Sequence, residues 1–322
     1  MARIFGNLLI GFFVVLVLAL VSSTFLITPD LLRHDVIAKY RSETSFLYEL
    51  PSGAQAHIRD EGNQQGPPLL LIHGSNASLH TWEPWVRELG ADYRLISFDL
   101  PGHGLTGATP EDEYTVEAMS RFTGEIADLF GLDKVFLAGN SMGGAVALQF
   151  ALDNPQRVAA LIPVSSAGMT QDPDEASVGA FNLVGSSFGR MMMRYVTPRF
   201  VLASTLRGVV ADPDTFVTEE MVERYWETLR MTGSRDATIK RFAGYPSRAS
   251  LEPQLSKIKV PTLLLWGQQD PLIKVKYGIR MNAAISRSHL IIYPQAGHLA
   301  HEEIPVKTAA DAHRFLQDVL GK

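Results

Sequence analysis

Short, almost wholly apolar runs recur at residues 69–72, 94–98, 135–138, 158–164, 262–266 and 289–293, and they constrain the fold more than any other feature. A strand that is apolar at successive positions is apolar on both faces, so it belongs in a sheet covered by helices on both sides. Helical patterns lie between the runs, at residues 115–130, 142–153, 275–284 and 307–320. This alternation predicts an α/β protein with a mainly parallel sheet and right-handed crossovers. Upstream, residues 46–48 and 54–58 flank Pro51-Ser52-Gly53 and read as a hairpin. From Ser166 to about Pro253 the alternation stops, and only helix-like segments rich in Met and aromatics remain, such as residues 190–195 and 222–229. That stretch predicts a helical cap over the carboxyl edge of the sheet.

The N-terminus is of a different kind. Residues 4–27 carry no charge, and as a helix they would reach roughly 36 Å, enough to cross a bilayer core. The expectation is a single uncleaved membrane anchor with the folded domain outside the cytoplasm. The competing reading is a cleaved signal peptide, since Val21-Ser22-Ser23 is a small-residue site after an apolar run. The expected organisation is therefore an anchor or signal segment at 1–30, a first core half at 31–165, a cap at 166–253 and a second core half at 254–322.

Composition removes several function classes. The 322 residues include 29 Lys and Arg against 34 Asp and Glu, a net charge of -5 that offers no basic excess for a polyanion, so no nucleic-acid partner is expected. There is no cysteine, which excludes disulfides, thiolate metal sites and a cysteine nucleophile. Gly102-His103-Gly104-Leu105-Thr106-Gly107 matches the dinucleotide fingerprint G-x-G-x-x-G in letters, but Pro101 precedes it and the strand before it is not the first of the sheet. It reads as a tight turn, and no cofactor is expected. His298-x-x-His301-Glu302 lacks the spacing of a zinc helix, and no metal is expected either.

The chemistry concentrates at strand ends. Gly139-Asn140-Ser141-Met142-Gly143-Gly144 stands where one apolar run must turn sharply into a helix. Such a turn forces its middle residue into a strained backbone and lifts the side chain above the sheet, which makes Ser141 the candidate nucleophile. A serine hydroxyl needs a base held by an acid. Asp270 lies just past the run at 262–266, and His298 just past the run at 289–293. The oxyanion of a tetrahedral intermediate needs two donors, and the candidates are the backbone N–H groups of Met142 and of Ser75, in the loop His73-Gly74-Ser75-Asn76, with the Asn76 side chain as the alternative second donor. Candidate substrate-binding residues are Asn76, Asn140, Arg190 and Trp226; Met191–Met193, Phe188, Tyr195 and Tyr225 are read as cap core or as pocket lining.

From about Phe46 to Leu320 the chain resembles the α/β-hydrolase superfamily, specifically its cap-bearing serine hydrolases. The resemblance is carried by His73-Gly74 with Ser78 and Trp82, by Asp99-Leu100-Pro101-Gly102-His103-Gly104, by Gly139 to Gly144, by Trp266-Gly267 to Asp270, and by Gly297-His298 with His301, Glu303 and Pro305. It implies an eight-stranded sheet with one antiparallel strand, a cap inserted after the sixth strand, Ser141, Asp270 and His298 as the triad, and a mechanism without cofactor. The expected activity is hydrolysis of a small, hydrophobic carboxylic ester through an acyl-enzyme. The alternative is a carbon–carbon bond hydrolase of ring-fission products, whose turn around the nucleophile Gly139 to Gly144 also resembles. That alternative assigns Arg190 to the substrate carboxylate. A non-catalytic ligand receptor on the same fold is the remaining reading.

Overall fold

The computed structural model describes residues 27–172, 186–243 and 250–321. Its strands are β1 (Ser45–Glu49), β2 (Gln55–Gly62), β3 (Pro68–Ile72), β4 (Arg94–Phe98), β5 (Val135–Asn140), β6 (Val158–Val164), β7 (Thr262–Gly267) and β8 (Ser288–Tyr293). They form one eight-stranded sheet in the order β1-β2-β4-β3-β5-β6-β7-β8. β2 runs antiparallel to both its neighbours, and every pair from β4 through β8 is parallel. The hairpin expected around Pro51-Ser52-Gly53 is β1 and β2, with Gly53 at φ 77° in the turn.

The helices, in chain order, are α1 (Arg33–Tyr40), α2 (Glu83–Leu89), α3 (Val116–Leu129), α4 (Met142–Asp153), α5 (Ser187–Met193), α6 (Arg199–Arg207), α7 (Pro213–Phe216), α8 (Glu219–Arg230), α9 (Ser234–Ala243), α10 (Val275–Ala284), α11 (Ala300–Glu303) and α12 (Pro305–Leu320). The unbroken apolar runs are explained by where their alternate side chains go. Leu70, Ile72, Ile96, Phe98, Leu137 and Leu264 pack with residues of α3, α4 and α10, among them Phe122, Leu148 and Met281. Leu69, Leu71, Leu95, Phe136 and Leu265 pack on the other side with Trp85, Leu89, Ala312 and Leu316 of α2 and α12. Each side chain of residues 69–72 is fully buried. Such burial contributes roughly 1.5–3 kcal/mol per large aliphatic residue, which is why the fully buried positions of these runs hold no charge. α4 is buried from Met142 to Ala151, and its small residues let it lie close against the sheet.

Between β6 and β7 stand α5 to α9, followed by a 3-10 turn at Glu252–Lys257. Their starts follow ordinary capping chemistry: Ser186, Asp212 and Thr218 accept hydrogen bonds from Gly189, Thr215 and Met221 N–H. Leu206, Val209, Val222 and Tyr225 pack on Ala77 and Leu299, which lie in the loops after β3 and β8. The helical insertion therefore sits over the carboxyl ends of the strands.

The expected membrane segment needs correction. Apart from Ile27 it lies outside the described residues, and among the described residues no helix is long and apolar enough to cross a membrane. The reading of a membrane-anchored chain with an extracytoplasmic domain is therefore not retained. The boundary expected at residue 30 also falls within a docked stretch. Thr28 N–H donates to the Tyr195 carbonyl at 2.9 Å, the Arg235 guanidinium grips Asp30, and Leu31 bridges to Met231.

Candidate active site

Ser141 sits between β5 and α4 at φ 53° and ψ -117°, a conformation that costs a residue with a Cβ on the order of 1–3 kcal/mol. The surroundings leave it no alternative. Its N–H donates to Val164 O at 2.9 Å, and its carbonyl accepts from Ala167 N at 2.9 Å. A Cβ at Gly143 would stand 2.2 Å from the Ile72 carbonyl oxygen, one at Gly139 2.3 Å from the Gly143 carbonyl oxygen, and one at Gly144 2.3 Å from Ser166 Oγ. The glycines of G-N-S-M-G-G are thus required by close approach of α4 to β3, to β5 and to the segment just after β6.

Asp270 and His298 come together because the loops after β7 and β8 touch through backbone. A Cβ at Gly267 would lie 2.0 Å from the Gly297 carbonyl oxygen. His298 Nδ1 is 2.8 Å from Asp270 Oδ2, while Asp270 Oδ1 accepts from Leu272 and Ile273 N–H at 2.8 and 2.9 Å. The carboxylate is thereby fixed in rotation, and the imidazole presents its other nitrogen away from it. Glu303, noted in the sequence only as part of the resemblance, holds this loop: its carboxylate accepts from Gly297, Leu299 and Ala211 N–H, the last from the insertion.

Ser141, His298, Met142, Ser75, Asn76 and Asn140 all line one cavity of about 520 Å³. Met142 begins α4, where unpaired N–H groups and the helix dipole favour negative charge. The loop carrying Ser75 is pinned by His73, whose Nδ1–H donates to Gly74 O at 2.7 Å while Nε2 accepts from Leu100 N–H at 2.9 Å. That pairing requires the neutral tautomer, and burial holds the imidazole below its ordinary pKa. Asn140 also ties the Ser141 turn to the histidine loop, donating from Nδ2 to Val164 O and His298 O at 3.2 Å each.

Two of the expected substrate-binding residues lie elsewhere. Arg190 does not line the cavity and donates to Ser187 Oγ on its own helix. Trp226 does not line it either: its indole N–H donates to Thr197 O at 2.6 Å, and the Arg230 guanidinium covers its ring at 4.1 Å. Of the aromatics and methionines weighed as pocket lining, Tyr225 reaches the cavity, Met193 packs with Phe242, and Phe188, Met191 and Tyr195 are exposed. The buried cation lining the cavity, among the described residues, is Arg241, which carries no local signal in the sequence.

A second Ser-His-Asp arrangement shows what such a triad needs besides its three residues. Ser45 Oγ is 2.8 Å from His57 Nε2, and His57 Nδ1 is 2.7 Å from Asp99 Oδ2. All three are buried, and none lines the 520 Å³ cavity. Ser45 Oγ also accepts from Arg59 Nε and Ser42 N–H at 3.1 Å each. Asp99 accepts from Leu79 and Leu105 N–H at 2.7 Å, and a Cβ at Gly104 would strike its carboxylate at 2.1 Å, so the Gly102 to Gly107 loop wraps an acid. This cluster fastens the β1–β2 hairpin to the loop after β4.

The comparisons with known proteins agree with this geometry. Residues 67–305 match the alpha/beta hydrolase fold family. The chain is 27% identical over 262 residues to a 2-hydroxy-6-oxo-6-phenylhexa-2,4-dienoate hydrolase of Burkholderia cepacia, covering 78% of this chain and 87% of that one. It is 29% identical over 257 residues to a 2-hydroxy-6-oxo-2,4-heptadienoate hydrolase of Pseudomonas putida, covering 77% and 88%. Among solved structures, that of a membrane phospholipase A, a bacterial virulence factor, superposes with a TM-score of 0.75 at 25% identity, covering 98% of this chain and 99% of that one. A family match that runs from β3 to the start of α12, on a sheet of this strand order with a serine at the β5–α4 turn, places the chain in the alpha/beta hydrolase fold family.

Proposed function

We propose that the protein hydrolyses a carbon–carbon bond beside a ketone in a 2-hydroxy-6-oxo-dienoate, with the insertion at 166–253 acting as a cap domain. The observation that carries this reading is the length of the match to relatives named for that reaction, 77–78% of this chain and 87–88% of theirs. The cavity supports it: its walls are mainly apolar, and Arg241 offers a dienoate carboxylate a buried guanidinium in place of Arg190. In this reading Ser141 Oγ attacks the ketone carbon as His298 takes its proton, and Asp270 orients and stabilises the imidazolium. The Met142 and Ser75 amides receive the oxyanion. For the carbon–carbon bond to break, the proton of the substrate's 2-hydroxyl must first have moved to carbon 5, so that the electron pair of the broken bond passes into the resulting 2-keto-enoate as a dienolate, which takes the proton back from His298. Water hydrolyses the acyl-enzyme and frees the acid.

A second reading, hydrolysis of a carboxylic ester, is favoured by the phospholipase A structure that matches nearly the whole chain. The acyl half of the chemistry is the same, and an alcohol leaves instead of a carbon. One experiment separates the two: the full-length chain is assayed side by side on 2-hydroxy-6-oxo-6-phenylhexa-2,4-dienoate and a series of nitrophenyl esters. Dienoate turnover well above ester turnover is expected, with Ser141→Ala lowering it by several orders of magnitude. Ester turnover with the dienoate untouched moves the assignment to esters, and near-normal activity in Ser141→Ala removes Ser141 as nucleophile.

A further inference from the structure

The insertion reaches the loop after β3 through a buried charged side chain. Arg241, on α9, is 4% exposed and extends down to the loop after β3. Its Nη1 donates to Ser75 Oγ at 2.6 Å and its Nη2 to Asn76 Oδ1 at 2.6 Å, with Met142 Sδ 4.0 Å from Nη1. The ring of Phe242, next on the helix, lies 4.4 Å from the guanidinium. The two residues it grips are at the candidate oxyanion donor and its neighbour, and the third group it touches is the side chain of the other donor residue.

The loop has reason to need that grip. Asn76 has φ 60°, in the left-handed region that a residue with a side chain enters at a cost of roughly 1–2 kcal/mol. Its two ends are held from the core, by His73 on Gly74 and by Asp99 on Leu79. Its middle is held from above, by a residue of the insertion.

We propose that Arg241 is a positioning residue through which the insertion assembles the oxyanion hole. By fixing the side chains of Ser75 and Asn76, the guanidinium fixes the direction of the Ser75 N–H. A substrate admitted by displacement of α9 would meet two aligned donors only after α9 returns, which makes transition-state stabilisation conditional on closure. This rests on Ser141 being the nucleophile and not on which bond is cleaved.

The test uses a neutral fluorophosphonate, whose phosphoryl oxygen enters the oxyanion hole and which has no carboxylate for Arg241 to bind. The second-order rate of Ser141 labelling is measured on the full-length chain. Arg241→Ala is expected to label on the order of 10- to 100-fold more slowly, as a misdirected donor should cost, and added guanidinium ion should restore part of the rate. Ser75→Ala combined with Asn76→Gly keeps the amide and the positive φ but removes both acceptors, leaving α9 intact. It should show a similar loss, and adding Arg241→Ala to it should cost little more. Wild-type labelling in Arg241→Ala, wild-type labelling in the acceptor variant, or additive losses would each overturn the proposal. A purely structural role predicts additive losses that track thermal stability, without guanidinium rescue. Absence of labelling in the wild-type chain would instead remove the reading of Ser141.

Discussion

At Ser141 a positive φ is sustained by what its neighbours lack. Gly143 leaves no room for a methyl group, since a Cβ there would meet the Ile72 and His73 carbonyl oxygens at 2.2 and 2.5 Å. Both are backbone atoms of β3 and its loop and cannot swing aside. Gly143→Ala is therefore expected to push α4 from β3, lowering stability by about 1–3 kcal/mol and catalysis by more, because Met142 and Ser75 stand on the two elements forced apart. Urea midpoints and turnover measured together check this, and a variant with wild-type turnover would contradict it. The strand-to-helix context made Ser141, Asp270 and His298 legible, because each follows an apolar run and the chain order of the runs is visible. Asp99 also follows an apolar run, at 94–98, but Ser45 and His57 had no such signal, and the triad-like geometry of the three arises from cross-strand register, in which Ser45 pairs with Arg59 on the neighbouring strand.

At the scale of elements, the stretch before α1 is tied to the insertion through buried charge. Arg235 is 5% exposed and donates from Nε and Nη2 to Asp30 Oδ1 at 2.9 and 2.5 Å, while Arg230 donates to Pro29 O. Lys39 and Tyr40 of α1 reach Glu223 and Glu227 of α8. Asp30→Ala removes the acid and leaves the buried guanidinium behind. A loss of about 1–2 kcal/mol is expected, discounted because Asp30 itself is half exposed. Faster amide exchange should appear in α8 and α9, and unchanged exchange there would show that the stretch does not brace the insertion. The helical patterns at 142–153 and 275–284 match α4 and α10 to the residue, since both helices pack against a sheet whose place was already implied. On α8 the same kind of pattern misled. An amphipathic helix declares which side is apolar but not what lies against it, so Trp226 turned to Arg230 and Thr197 while Tyr225, one residue earlier, took the cavity.

Across the whole molecule, the joint between core and insertion contains a carboxyl that resists ionisation. Glu302 is buried beside Thr81, which donates to it, and burial pushes its pKa up to about 8 from an ordinary 4.5. Because the folded-state value is the higher one, its contribution is fully present below about pH 4.5 and is lost as the pH rises toward 8, while the unfolded chain ionises and the folded chain does not. Glu302→Gln, which never ionises, should gain on the wild type across that window, by on the order of a few kcal/mol at its upper end. Denaturation at pH 5 and at pH 8.5 would measure the gap, and parallel behaviour of the two proteins would refute it. The sequence by itself determined the layered α/β architecture, the strand ends and the serine, acid and histidine placed there. Those follow from local rules: a strand buried on both faces must be apolar throughout, and a sharp strand-to-helix turn must be glycine-rich. Only the tertiary structure decided that Arg241, and not Arg190, enters the cavity, that Glu303 ties the histidine loop to the insertion, and that Asn140 bridges two strand ends. These depend on contacts between segments far apart in the chain, and a polar side chain on a helix or loop carries no local mark of the partner that the fold will bring to it.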